Sequence, residues 1–167
     1  MTAAEMYELP TQGGATDFAR LIQACESFGP YCLIGGLAVN CYVEPLYTLD
    51  ADVVVHSSIL RDRTAHLEQR SSLRIQFTTD ERYQSFLPRS VEAEALGMRV
   101  KIACLEDVTR GTLWAFADAR RRLTKRKKDE LDLIRLVETY PRLKSILPRE
   151  LLEQIEMPDP SLTEGCA

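Results

Sequence analysis

The sequence predicts an α/β fold: a small mixed sheet flanked by helices, followed by a C-terminal helical subdomain. Three observations predict it. Short apolar or β-branched runs alternate with amphipathic stretches over the first hundred residues. After Leu105 only helical periodicity is found. One apolar run ends in two glycines, and the next opens with two aspartates. Strands alternating with helices bury a sheet under helical layers, and helices alone pack as a bundle.

Residues 1–15, with Pro10 and Gly13-Gly14, read as an irregular arm. Thr16 or Asp17 then caps a helix in which Phe18, Leu21, Ile22, Cys25 and Phe28 recur at three- and four-residue spacing, and Gly29-Pro30 stops it. Residues 31–34 form a buried strand that feeds Gly35-Gly36, and residues 37–43 a short helix before Pro45. Residues 48–55 are a second strand, β-branched at its end. Ser57 or Ser58 caps a surface helix to about Arg70, and residues 73–79 alternate as a third strand. Residues 81–96 read as a helix kinked at Pro88 and ended by Gly97. Residues 99–104 alternate charged and apolar, as a strand with one wet face does. Three helices follow, over 105–118, 124–140 and 148–155. In the second, Leu131, Ile134, Val137 and Tyr140, widened by Leu133 and Leu136, form the apolar stripe. Trp114, Phe116 and Tyr140 are expected in the bundle core. The organisation expected is thus an arm (1–15), an α/β core (16–104), a helical subdomain (105–157) and a disordered tail (158–167).

Composition narrows the function. In 167 residues, 45% apolar and 28% charged, nothing suggests wholesale disorder. No apolar run approaches the ~18 residues that cross a bilayer, and the start lacks a basic segment followed by an apolar one, so neither membrane nor secretion is expected. A net charge of −4 argues against coating nucleic acid with the whole surface. The five cysteines (Cys25, Cys32, Cys41, Cys104, Cys166) stand singly, and His56 and His66 are the only histidines, with His56 expected on the surface. That pattern offers no zinc site and no Ser-His-Asp or Cys-His engine, and it fits a reducing, cytoplasmic compartment.

The chemistry resides in residues 33–55. Two adjacent glycines after a strand let backbone amides approach a bulky anion, with a helix start aimed at the same place. Asp50 and Asp52, two apart on a strand, leave on one face about 7 Å apart along the chain. Two carboxylates about 6 Å apart repel by roughly 3 kcal/mol at an effective dielectric of 20. A divalent cation reverses that sign, and magnesium favours one or two carboxylates plus substrate phosphates. Mg²⁺ as cofactor and a nucleoside triphosphate as substrate make one coherent site with these residues.

Gly35-Gly36, a short helix, then Thr48-Leu-Asp50-Ala-Asp52 opening an apolar strand resemble the nucleotidyltransferase fold of the DNA polymerase beta type. Within it the likeness is to small bacterial proteins near the AbiEii-type toxins and the aminoglycoside nucleotidyltransferases. Residues 100–108 and 117–133 resemble that group's later strand and helical continuation, so the likeness spans roughly residues 18–140. The resemblance implies that Asp50 and Asp52 hold metal and that Gly35 and Gly36 cradle the triphosphate. It implies transfer of a nucleoside monophosphate to a hydroxyl, in a toxin-antitoxin or phage-defence setting. Where these relatives carry further charge this chain differs: Gln76 falls at the third carboxylate, with Asp80 four residues on as a substitute. Leu46 and Tyr47 precede the aspartates in place of an arginine, and Gly111-Thr112 stand in place of a lysine.

Seven of the nine residues from Arg120 to Lys128 are basic. With Thr124 as helix cap, Lys125 to Lys128 fall in the first turn, where positive charge is unfavourable by about 0.3–1 kcal/mol per exposed side chain. A triphosphate, RNA or an acidic protein partner docked there offsets the mismatch, with Lys125 and Lys128 assisting. Asp129, Glu130 and Asp132 equally well neutralise the run. Three functions compete: a magnesium-dependent nucleotidyltransferase, a catalytically degenerate module of the same fold that binds nucleotide, RNA or a protein partner, and a structural or oligomerising protein whose Asp-x-Asp is merely solvated.

Overall fold

A computed structural model describes residues 12–56 and 71–156. The helix expected over 57–70, most of the N-terminal arm, the tail, His66 and Cys166 lie outside the described residues. The elements in chain order are α1 (Gly14–Phe28), β1 (Tyr31–Ile34), α2 (Gly35–Val39), β2 (Asp50–Val55), β3 (Arg74–Thr78), α3 (Glu81–Gln84), β4 (Val91–Ala95), β5 (Met98–Ile102), α4 (Leu105–Ala117), α5 (Leu123–Thr139) and α6 (Arg149–Glu156). Short 3₁₀ turns cover Leu87–Arg89 and Pro141–Ile146.

The five strands form one mixed sheet in the order β3-β2-β1-β5-β4. β1 runs antiparallel to β2 and parallel to β5, β2 parallel to β3, and β4 antiparallel to β5. The central strands are buried along their length, as Cys32, Leu33, Val53 and Val54 show. α1 turns Phe18, Leu21, Ile22 and Cys25 into the same hydrophobic cluster, which also takes Val108 of α4 and Leu133, Leu136 and Val137 of α5. α4 and α5 pack on each other and on α2, so the C-terminal helices cover the sheet where β1 ends and β2 begins.

Several elements differ from the sequence expectation, each for a local reason. α1 begins at Gly14 because Gly13, at φ 104°, turns the chain into the helix without a side-chain cap. Asp17 is freed from capping: its carboxylate accepts from the Ser71 amide (2.9 Å) and pairs with Arg20 (3.3 Å). α2 begins at Gly35, so the glycines open this helix and do not form a turn ahead of it. The helix expected over 81–96 is only the four-residue α3, capped by Asp80, and then β4. Val91-Glu-Ala-Glu-Ala alternates at period two and pairs with β5 around Leu96-Gly97, both at positive φ (50° and 79°), a two-residue turn that suits strand twist. α5 starts with Arg122 as cap, whose carbonyl accepts from Lys125 and Arg126 (both 3.0 Å). Its buried stripe is Asp129, Asp132, Leu133, Leu136 and Val137, while Leu131 is 45% exposed. The basic segment therefore occupies the first two turns of α5 and the loop before it.

Candidate functional site

β2 is the element that presents chemistry. Asp50 and Asp52 leave one face, and the antiparallel register sets Ile34, the residue before the glycines, opposite Asp52. Gly35, Gly36, Asp50, Asp52, Lys125 and Lys128 all line one cavity of about 120 Å³, together with Thr48, Tyr83, Gly111, Thr112, Arg121, Asp129 and Asp132. The six residues singled out from sequence thus meet, although Lys125 lies 75 positions from Asp50.

The glycines are there for space. Gly35 sits at φ +65°, and a Cβ on it would come within 2.5 Å of Asp52 Oδ2. A Cβ on Gly36 would stand 2.6 Å from Lys128 Nζ and 3.3 Å from Thr48 Oγ1. One glycine thus makes room for a carboxylate and the next for an ammonium, which is how opposite charges crowd against bare backbone here.

The two carboxylates are held differently. Asp50 Oδ2 accepts from Lys125 Nζ. Asp50 Oδ1 lies 2.8 Å from Arg74 Nε as an ion pair, yet outside hydrogen-bond geometry, which leaves a buried carboxylate oxygen without a hydrogen bond. Burial raises the Asp50 pKa, but Lys125, Arg74 and Lys128 outweigh it and hold the carboxyl below its ordinary range. Asp52 is pushed up to about 6, by burial first and by Asp50 second, against the pull of Arg121, Lys125 and Lys128. A carboxylate whose charge is resisted, beside one with an unsatisfied oxygen, fits a hard cation with oxygen ligands. The pair alone supplies this: no group of three or more His, Cys, Asp or Glu side chains able to hold a metal occurs among the described residues.

The other positions resolve as follows. Gln76 pairs in register with Asp52 on β3, where the resemblance leads one to expect a third carboxylate, and it is exposed. Asp80 does not substitute for it: its carboxylate accepts from the Arg82 amide (3.0 Å) and guanidinium (2.8 Å), which commits it to capping α3. Thr112 donates its hydroxyl to Val108 O (2.9 Å), so it lines the cavity with its polar atom already used. Leu46 and Tyr47 are exposed (38% and 56%). His56 is exposed, and Trp114 stacks on Phe86 (centroids 5.7 Å) and meets Tyr83 edge-on (5.3 Å).

Much of the basic run is tied internally. Arg121 pairs with Asp129 (2.6 Å), Lys127 with Glu130 (2.7 Å), Lys128 with Asp132 (3.1 Å) and Arg120 with Asp118 (3.3 Å). Asp132 also takes Arg135 (2.6 Å), whose guanidinium reaches Glu44 O. Beside the cavity, and sharing Tyr83, Ala115 and Arg121 with it, runs a groove lined by Arg82, Trp114, Asp118 and Arg120. Arg82 lies over the rings of Trp114 (5.5 Å) and Tyr83 (5.8 Å). Sequence reasoning missed Arg74 and Tyr83. Arg74 was signalled by its i, i+2 relation to Gln76, which repeats on β3 the spacing of the aspartates; Tyr83 carried no signal, because only the packing of α3 under α4 brings it to the cavity.

No helix among the described residues is long and apolar enough to cross a membrane. No protein-family model matches the sequence, and no curated protein matches it. Its structure is similar to the crystal structure of an antigenic nucleotidyltransferase-like protein from Paracoccidioides brasiliensis, with a TM-score of 0.50 and 18% identity over 87% of this chain and 89% of that one. With the five-stranded mixed sheet and its helical cover, that likeness gives the chain a nucleotidyltransferase-like α/β fold.

Proposed function

We propose that this chain binds a nucleoside triphosphate with Mg²⁺ in the Asp50–Asp52 cavity and transfers a nucleoside monophosphate to a hydroxyl acceptor. The observation that carries this reading is the aspartate pair on β2, one oxygen of it unsatisfied, facing a glycine opening and two lysines in a single cavity. Asp50 and Asp52 would hold the ion, with phosphate oxygens completing the hard ligand set that two carboxylates begin. The chemistry supplied by the bound ion is positive charge on the departing pyrophosphate and acidification of the acceptor hydroxyl. Gly35 and Gly36 let the phosphates approach the backbone, and Lys125 and Lys128 balance their charge. Gln76 is neutral and supplies no base beside Asp52, so with both aspartates on the ion the acidified acceptor proton would pass to solvent.

The acceptor reaches the carboxylates along the groove of Arg82, Arg120 and Arg121. Each guanidinium is paired with an aspartate (Asp80, Asp118 and Asp129), and a polyanion such as RNA, with a phosphate for each, would replace those partners better than a single protein side chain would. A toxin-antitoxin or phage-defence setting belongs to this reading through the family resemblance alone. The degenerate-module reading has its own support: Gln76 is neutral, and Asp50 is already claimed by Arg74 and Lys125.

Calorimetric titration of ATP, GTP, CTP and UTP with Mg²⁺ separates them. The wild type is expected to bind at least one of the four, and the Asp50→Asn/Asp52→Asn variant to lose the metal-dependent part. No binding of any of the four by wild type would discard the transferase reading. Binding without release of pyrophosphate in the presence of RNA would favour the module.

A further inference from the structure

We infer that Lys125 is a movable counter-cation that makes metal binding depend on nucleotide binding. The inference rests on the reading that a metal-nucleotide docks at Asp50 and Asp52.

The three cations nearest the pair are not equivalent. Lys128 has its own carboxylate, Asp132, at 3.1 Å, and Arg121 has Asp129 at 2.6 Å, and both acids are buried. Lys125 has no such anchor. Among the described residues its single ion partner is Asp50 Oδ2, one of the oxygens a divalent ion needs. It reaches that oxygen from the first turn of α5 and remains 26% exposed, on a four-carbon stem free to swing.

A divalent ion arriving alone must displace this ammonium from Asp50 and leave it without an anion, next to the new positive charge. The other carboxylates lining the cavity, Asp129 and Asp132, already carry Arg121, Lys128 and Arg135, and among the described residues no third carboxylate joins the pair in a metal-holding group. An ion arriving with a triphosphate brings its own anion: Lys125 exchanges Asp50 for a phosphate oxygen, and no charge is stranded. Each ligand thus removes the obstacle to the other, a coupling that acts equally in both directions. The device would keep the site from taking up bare metal while holding the metal-nucleotide.

The test measures two affinities in wild type and Lys125→Met. Free Mn²⁺ is followed by its electron paramagnetic resonance signal without nucleotide. The Mn²⁺ complex of α,β-methylene-ATP, which cannot transfer, is followed by calorimetry. Coupling of this kind is typically worth 5–150-fold, so K125M is expected to bind Mn²⁺ alone about tenfold or more tighter, and the Mn²⁺-nucleotide about tenfold or more weaker. A merely structural role for Lys125 moves both affinities the same way. Lys125→Gln, which keeps stem length and polarity, guards against misfolding and is expected to show the same opposed changes. Lys127→Met, whose lysine pairs with Glu130 away from the cavity, is expected to change neither. Mn²⁺ affinity unchanged or weaker in both Lys125 variants would overturn the inference even where wild type binds the nucleotide. A wild type that binds no metal-nucleotide would overturn the transferase reading, while the Mn²⁺ arm still decides whether Lys125 blocks the metal.

Discussion

At the scale of single residues, Asp52 does what a residue selected for stability alone would not. Its carboxyl is buried beside Asp50 and raised to about 6, so at neutral pH the folded state holds a charge it resists. The unfolded chain has no such resistance, with the carboxyl at its ordinary 3.8. Well below pH 3.8 the group is protonated in both states and costs nothing. As pH rises from 4 through 6 the unfolded state releases the proton first, and stability falls by up to about 3 kcal/mol, the worth of some two pKa units. Asp52→Asn is therefore expected to melt at higher temperature than wild type at pH 7.5 and at about the same temperature near pH 3, while losing metal-dependent nucleotide binding. Equal melting temperatures at pH 7.5 would show that the carboxylate is not resisted. Of the two aspartates, the i, i+2 spacing on a strand made the shared face legible in the sequence. Their unequal acidity was not, because it comes from the burial of the Asp52 carboxyl and from Lys125 and Arg74, which pair with Asp50.

At the scale of elements, the opening of α2 explains why two glycines stand together. Gly35 needs both its positive φ and its missing side chain, whereas Gly36 needs only the space that Lys128 and Thr48 fill. Gly35→Ala combines a left-handed backbone, about 1–2 kcal/mol, with displacement of Asp52. It is expected to lower the urea midpoint clearly and abolish nucleotide binding. Gly36→Ala meets the far end of a flexible lysine, so it is expected to leave the urea midpoint almost unchanged and weaken nucleotide binding. Equal losses of stability in the two variants would contradict this division. Elements whose signal is periodic and long, such as α1, α4 and α5, were read from the sequence with only their ends displaced. β4 was missed because the segment before it, with Asp80 as a cap and Pro88, imitates a helix, and because five alternating residues carry less signal than the helical reading of sixteen. The decisive cue was Leu96-Gly97, whose two positive-φ positions make the hairpin turn.

At the scale of the whole molecule, an ion cluster around one buried carboxylate joins α4 to the turn that leads into the sheet's edge. Asp107 of α4 is fully buried, takes both oxygens to Arg89 at 2.9 Å and meets Arg110 at 3.3 Å, which ties the turn before β4 to the helix after β5. Removing one partner strands a buried carboxylate, so Arg89→Ala is expected to cost about 3 kcal/mol in urea denaturation. Nucleotide affinity should stay near the wild-type value, since Arg89 does not line the cavity. A change below about 0.5 kcal/mol would mean that Arg110 suffices. The sequence by itself determined the α/β class, the strands that carry Gly35-Gly36 and Asp50-Asp52, and the helical continuation, because each depends on periodicity and turn chemistry among near neighbours. Only the tertiary structure decided that Lys125 and Arg74 both claim Asp50, that Lys128 fills the space above Gly36, and that Asp80 is spent on a helix cap. Those outcomes depend on which strand lies beside which and on where α5 crosses the sheet, contacts between residues up to 90 or more positions apart that no local pattern encodes.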